Sequence, residues 1–395
     1  MTAVSSAIRA QRACESPADR VRVMKFITNF YIGGTERQFM VLSRGLDRTR
    51  FDVRTACLRR EGPFLAAMEE EGIPVSEHRI GRLYHPGTLV RQWRFGAMLR
   101  AERIQIVHTY GFYPNTFAIA PARAARVPVI IASIRDIGDI WTLAQRRLQK
   151  TLCRLAHAVA VNAEAVRRRL IDEGYDPRKL HVIENGIDVS RFRGGPPTGW
   201  LHRELGLPPA TPLIGVVSRL NRDKGISHLL RAAAALRARH PGARFLLMGD
   251  GPARSVLQQE ARELGIEEQV LFLGFRTDVT EILPELTLSV LPSLSEAMSN
   301  VVLESMAAER PVVVTRVGGL PEVVHDGVHG FLVAPGDPDS LARATEMLLD
   351  NRVRAEAMGR AGRRRIVRDF SRERMIERTQ RLYESLLEER ARRRP

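Results

Sequence analysis

Two carboxylates, Glu296 and Glu304, stand eight residues apart on either side of a helix start in PSLSEAMSNVVLESMAA. Ser299 or Asn300 can cap that helix, and its first amides then face an anion. Glu296, in the loop before the helix, can accept bonds from hydroxyls. Glu304, a little over one turn in, points toward the same pocket at another depth. An anion site flanked by two hydroxyl acceptors suits a ligand with phosphate and many hydroxyls, such as a nucleotide sugar. The spacing alone describes equally well a capping acid and a solvated helix residue.

Two cations stand in a second loop of the same kind. PLIGVVSRLNRDKG reads as a buried strand ending at Ser218, Arg219 and Leu220, then a polar loop with Lys224 and Gly225 before a helix. Arginine and lysine beside a helix start suit a diphosphate. Only four of the 61 basic residues are lysine, so Lys224 is not what the compositional bias supplies by default. Near the N-terminus, the strand RVMKFIT leads to Gly33 and Gly34, with Thr35 as the expected N-cap. Glycines there let a backbone approach a ligand closely, although a plain tight turn uses the same residues.

The elements that must carry these loops alternate. Apolar strands are expected at Arg22–Thr28, Arg103–Gly111, Val127–Asp139, Ala158–Asn162 and Leu180–Asp188. Helices are expected at Asn115–Ala125, Trp141–His157 and Ala163–Glu173. Strands alternating with helices imply right-handed crossovers and a parallel sheet, with ligands at its carboxyl edge. His108, Tyr110, Arg135 and Asp136 end two strands and are the acceptor or cleft candidates. His108 serves as well as a structural hydrogen-bonder.

The E-x(7)-E run, the strand before it, PVVVTRVGGLPEVVHDGVHGFLV after it, G-x-x-S-R-L-x-x-x-K-G and strand–GGTERQ–helix together resemble the retaining glycosyltransferases of family 4. The resemblance spans about Arg22 to Leu387. It implies an α/β chain of GT-B architecture: two Rossmann-like parallel-sheet domains facing a central cleft, and a C-terminal helix crossing back to the first domain. The implied boundaries are a tail at 1–20, an acceptor-side domain at 21–191, a linker at 192–199, a donor domain at 200–368 and the crossover helix at 369–395. It assigns Glu296 to sugar hydroxyls and Arg219 and Lys224 to the diphosphate. It gives Glu304 to the ribose and the amides of Met298, Ser299, Asn300 and Val301 to phosphates or sugar. Gly33, Gly34, Ser218 and Gly249 join the donor loops, and the turn of Gly274, Phe275 and Arg276 meets the base. One position departs from the family: Arg135 stands where many members have a histidine near the transferred sugar. Arg135 is left to bind a phosphate or acceptor anion, or Asp136 an acceptor hydroxyl.

Composition bounds the partners. The chain of 395 residues carries a net charge of +16, of which residues 1–190 supply +11 and the rest +5. A basic first half favours an anionic partner, such as membrane phospholipid or a lipid diphosphate. The helix WTLAQRRLQKTLCRLAH places Leu148, Leu152 and Leu155 on one face, read as core-facing. Arg82–Arg103, with Trp93 and several arginines, divides in the same way between core and membrane. Three cysteines without metal or redox spacing fit a reducing cytoplasm. Residues 1–20 lack the apolar core of a signal peptide, and no apolar run reaches a membrane span. Asp337-Pro338-Asp339 reads as a helix start, not a metal pair.

The implied activity is metal- and cofactor-independent transfer from a UDP- or GDP-linked sugar to a glycan or polyprenyl- or lipid-linked acceptor, in bacterial surface polysaccharide or glycolipid synthesis. The expected place is the cytoplasm or the inner face of the cell membrane. A nucleotide-sugar epimerase of the same architecture is the nearest rival. A phosphorylase would need a pyridoxal lysine. A basic nucleic-acid-binding protein lacks a recognition motif here, so no nucleic acid is expected.

Overall fold

A computed structural model describes residues 20–81, 86–138 and 141–392. The tail expected at 1–20 therefore lies outside the described residues except for Arg20. The chain divides into two compact units. One takes the described residues up to Val161, Leu170–Ile183 and those from Met375 on. The other takes Asn162–Arg169 and Glu184–Arg374.

The first unit alternates β1 (Val21–Ile27), α1 (Gly34–Gly45), β2 (Phe51–Cys57), α2 (Phe64–Glu70), β3 (Val75–Glu77), α3 (Pro86–Ala101), β4 (Ile106–Tyr110), α4 (Phe112–Ala124), β5 (Val129–Ile134), α5 (Leu143–Cys153), β6 (Ala158–Val161) and β7 (Leu180–Val182); α6 (Glu164–Asp172), between β6 and β7, is counted with the second unit up to Arg169. Its sheet is parallel, in the order β3-β2-β1-β4-β5-β6-β7. The direction of winding reverses between β1 and β4. Strands such as VIIASI are buried on both faces, as a parallel sheet covered by helices requires.

In the second unit, α7 (Trp200–Glu204) precedes β8 (Leu213–Val217), α8 (Ile226–Leu236), β9 (Arg244–Met248), α9 (Arg254–Glu263), β10 (Val270–Gly274), α10 (Val279–Ile282) and β11 (Leu288–Leu291). Then come α11 (Asn300–Ala307), β12 (Val312–Thr315), α12 (Leu320–Val323), β13 (Gly330–Val333), α13 (Pro338–Asp350) and α14 (Arg352–Asp369). The parallel order is β10-β9-β8-β11-β12-β13, reversing between β8 and β11. The last helix, α15 (Arg372–Arg392), belongs to the first unit from Met375 on.

Several expectations need correction. Helix α1 is capped by Gly33, not Thr35, which lies inside the first turn. Leu180–Asp188 pairs in the sheet only to Val182, because Asn185 turns away to bond Met298 and Asn300. The leucine stripe of α5 does not face the core. Only Gln149 and Cys153 are buried in that helix; Leu148 and Leu152 are half-buried and Leu155 is exposed. Strands β2 and β3 have no counterpart among the sequence expectations. Asp337 does start a helix: its carboxylate accepts from Ser340 N at 3.0 Å, capping α13.

Candidate active site

The loops after β8 and β11, the two strands at the reversal point of the second sheet, carry the expected cations and carboxylate. Ligands of open parallel sheets bind where loops diverge at such a point. Lys224 Nζ donates to Glu296 Oε1 at 2.7 Å, and their side chains are 20% and 14% exposed. Ser293 Oγ donates to the same carboxylate oxygen at 3.0 Å. Thr315 Oγ1, at the end of β12, in turn donates to the Ser293 carbonyl at 2.5 Å. The backbones are joined as well, since Leu294 N donates to Asp223 O at 2.8 Å. Glu296 Oε1 thus accepts from two side chains, and the loop that carries it is tied to β12 and to the loop after β8.

Two glycines make this closeness possible. Gly225 adopts φ +63° with the Pro292 carbonyl where a Cβ would sit. Gly318 adopts φ +49° against the Glu296 carbonyl. Any other residue at either place would meet both left-handed strain and a backbone clash. Gly319 N donates to Ala297 O at 2.8 Å, which binds the glycine turn after β12 to the same loop.

Arg219 is exposed, and among the described residues its guanidinium makes no hydrogen bond or ion pair. Helix α11 begins as expected, with Ser299 Oγ accepting from Val302 N at 3.5 Å. Met298 and Ser299 are buried, and Asn300 and Val301 are half-buried at the helix start. Asn185 Nδ2 donates to Asn300 Oδ1 at 2.6 Å, fixing that end of the helix from outside. Glu304 lies on the second turn and is 3% exposed, so it is a core-facing carboxylate and not a solvated one. On the other side of β8, Ser218 N bonds Met248 O, and Gly249 N bonds Gly274 O at 2.7 Å. Phe275 is exposed. The Arg276 side chain is committed elsewhere, to Glu204 at 2.7 Å and Asp278 at 2.8 Å. Only its backbone remains to meet a base.

The reversal point of the first sheet is built differently. Gly33 and Gly34 open α1 after β1 as expected. His108 and Tyr110, expected in a cleft, are 2% and 1% exposed and belong to the core. His108 Nδ1 lies 2.7 Å from the Tyr383 hydroxyl of α15, and its Nε2 lies 2.8 Å from Ser133 Oγ. The Tyr110 hydroxyl stands 3.3 Å from the same Nδ1. Burial first, then Lys25 and Arg135, holds the imidazole well below its ordinary range, so it is neutral. Arg135 and Asp136 remain half-buried just past β5, where Asp136 Oδ1 accepts from Trp141 Nε1 at 3.1 Å.

Sequence reasoning missed Lys25, a β1 residue with no exposed surface. Its Nζ reaches the Phe39 carbonyl at 3.4 Å and sits 5.0 Å from the centres of the Phe39 and Tyr110 rings. Burial, then Arg135 and Arg48, push its pKa well below the ordinary lysine value. The rarity of lysine was the one available signal. Ser293, Thr315 and Asn185 were also missed, since nothing local marks a loop hydroxyl or amide as a support.

The family description "Glycosyltransferase Family 4" matches residues 32–191, and "Glycosyl transferases group 1" matches residues 211–351. The D-inositol 3-phosphate glycosyltransferase of Corynebacterium kroppenstedtii is 36% identical over 52% of this chain and 48% of its own. The alpha-maltose-1-phosphate synthase of Mycobacterium tuberculosis is 34% identical over 57% of this chain and 62% of its own. The chain thus spans about half to three fifths of those relatives. The N-acetyl-alpha-D-glucosaminyl L-malate synthase of Bacillus anthracis is 27% identical over 77% of this chain and 81% of its own. Among solved structures, Anabaena HepE in complex with UDP-glucose superposes with a TM-score of 0.83 at 23% identity, over 93% of this chain and all of that one. With both halves matched by family descriptions and the two-sheet fold matched over nearly its whole length, the chain belongs to glycosyltransferase family 4 and has the GT-B architecture.

Proposed function

We propose that the chain is a retaining glycosyltransferase. It takes a sugar from a UDP- or GDP-linked donor and passes it to a hydroxyl of a glycan or lipid-linked acceptor, as in bacterial surface polysaccharide or glycolipid synthesis. The observation that carries this reading is the Lys224–Glu296 pair at the reversal point of the second sheet, beside exposed Arg219 and the start of α11. The bond from the anomeric carbon to the diphosphate oxygen breaks, and the acceptor oxygen bonds to that carbon on the same face. The acceptor proton passes to a donor phosphate oxygen. Charge develops on the leaving diphosphate, where Arg219, Lys224 and the α11 amides stabilise it without a metal. Glu296 orients sugar hydroxyls. It is already bound to Lys224 and Ser293, which favours positioning over attack.

Arg135, together with Asp136, is assigned to the acceptor. Relatives named for D-inositol 3-phosphate and L-malate act on anionic compounds, which supports an anion at the arginine that replaces the family's histidine. HepE, solved with UDP and with UDP-glucose, makes a uridine donor the first to try.

A thermal-shift screen against UDP, GDP, ADP and their common sugars, with EDTA present, tests this. At a hundred times its dissociation constant a ligand stabilises by about 2.7 kcal/mol. The expected result is a shift with one nucleotide family that disappears in Lys224→Ala. No shift with any nucleotide would sink the donor site, and a shift that needs metal would sink the metal-free account.

A further inference from the structure

The two helical layers of the first sheet differ in charge. Helices α3, α4, α5 and α6 carry nine arginines and one lysine against two carboxylates, both of them on α6. Helices α1, α2 and α15 carry eight arginines and eight glutamates. Right-handed crossovers on either side of the β1–β4 reversal put α1 and α2 on one face of the sheet and α3, α4, α5 and α6 on the other. Ile376 of α15 abuts Gly45 at the end of α1, so α15 packs beside the balanced layer. Compositional bias supplies arginine to both layers, but it does not leave one of them with almost no acid to balance it.

The basic layer also exposes apolar side chains. Leu89, Val90 and Trp93 of α3 are 69%, 52% and 73% exposed, and Leu143 at the first position of α5 is 64% exposed. Tyr113, second in α4, is 39% exposed. All five fall in the first two turns or so of parallel helices that start from the carboxyl edge of one sheet, so they form a band along one rim of the layer. Arg91, Arg94 and Arg147 stand exposed among them and make no ion pair among the described residues. The inward face of α3 is served by other residues, Phe95 and Leu99, which are fully buried. The exposed band is therefore not a core stripe displaced.

We propose that this rim of α3, α4 and α5 docks on an anionic phospholipid bilayer. A bilayer interface accepts both halves of the composition: tryptophan and leucine settle at the headgroup boundary while arginines reach the phosphates. A nucleic acid would leave Leu89, Val90 and Leu143 unrewarded, and an acidic protein would not need them. The proposal deepens the lipid-linked acceptor reading, and vesicle binding is measured without any transfer, so either can fail alone.

The full chain would be sedimented with vesicles of phosphatidylcholine alone and of phosphatidylcholine with phosphatidylglycerol, at low and high salt. Binding is expected to the anionic vesicles only, weakened by salt, with a blue shift of tryptophan emission that is lost in Trp93→Tyr. Leu89→Ser with Trp93→Ser should weaken binding at least tenfold, since both remove buried apolar area. Arg91→Gln and Arg94→Gln should each cost about fivefold. All four positions are exposed, so melting temperatures should be retained, and the arginine variants keep the test standing if the apolar pair misfolds. The proposal is overturned by an absence of binding at low salt, or by binding that none of these substitutions weakens. It is equally overturned if the substitutions abolish binding to duplex RNA, or dissociate a dimer in light scattering, while vesicle binding stays unchanged.

Discussion

Two of the chain's four lysines stand at the reversal points of its two sheets, Lys25 on β1 and Lys224 just past β8. Lys224 is reachable, donates to a carboxylate, and has an exposed arginine five residues away in its own loop. Lys25 has no exposed surface, one carbonyl at the edge of bonding distance and two aromatic rings. The charges acting on it are both arginines. The lysines beside the two reversal points have thus been used in opposite ways. One is paired with a carboxylate within reach of solvent, and the other is sealed in the core, where burial favours its neutral form. The proposed function accordingly draws on the second unit's reversal point, and on the first unit only through its strand ends, Arg135 and Asp136.

The largest effect expected from this contrast is on activity. Lys224→Ala and Glu296→Ala should each lower turnover by about a hundred- to a thousandfold, the usual loss when one preorganised group at developing charge is removed. Far-UV circular dichroism should be unchanged in both. The double variant should lose much less than the product of the two single losses, because the residues act as one unit. Near-normal turnover in either single variant would end the assignment of this pair to the reaction.

Lys25→Met should do the reverse and improve the fold. The folded-state pKa of Lys25 is depressed, so the unfolded chain binds a proton that the folded chain releases. Its stability contribution is full above the ordinary lysine value and is lost as pH falls toward the folded one. Wild-type stability should therefore rise toward pH 10, by up to about 1.4 kcal/mol per pH unit. In Lys25→Met that slope should disappear and the melting temperature at pH 7 should increase. An unchanged slope in denaturant titrations would mean that Lys25 is not buried as an amine.

The same sealed region sets a smaller acid-side effect. The His108 pKa is likewise depressed, so its contribution is complete above about pH 6.5 and fades as pH falls from there. His78, His157 and His329, which burial drives down to about 4, titrate in the same direction over the same window. His108→Gln should therefore flatten the loss of stability between neutral and acid pH without abolishing it. A slope identical to the wild type would show that His108 takes up its proton while folded.

The contrast also marks what could be read from residues alone. The second unit's site is local. Its strand ends, cap and cations each lie within one short loop, and Ser299, Asp337 and Lys224 stand where their neighbours imply. What escaped was supplied from elsewhere in the chain. Tyr383 seals His108 from 275 residues away, and no pattern around IQIVHTYG announces it. Asn185 holds Asn300 across 115 residues. The α5 leucines fit a core stripe by spacing, yet the most deeply buried positions are Gln149 and Cys153 beside them, because the helix's roll is set by packing and not by period. Strand β2, FDVRTAC, mixes charges into a half-buried pattern, and β3 has only three residues, too few to show a period.

The smallest effect tests the seal itself. Tyr383→Phe keeps the ring, which packs edge-on to Phe51 and to His108, and removes only the hydroxyl 2.7 Å from His108 Nδ1. A buried ring nitrogen left without a partner would cost about 1–3 kcal/mol. Here the Tyr110 hydroxyl already stands 3.3 Å from the same atom and can close the gap. The loss should therefore fall near the low end, about 1 kcal/mol, with donor-induced thermal shifts unaltered because the hydroxyl faces the core and not a ligand. A much larger loss would mean that Tyr110 is held too rigidly by Phe39, whose ring it meets edge-on at 5.1 Å, to take over the bond. A change in donor binding would mean instead that the sealed reversal point is energetically coupled to the open one, and the division of labour between Lys25 and Lys224 would have to be abandoned.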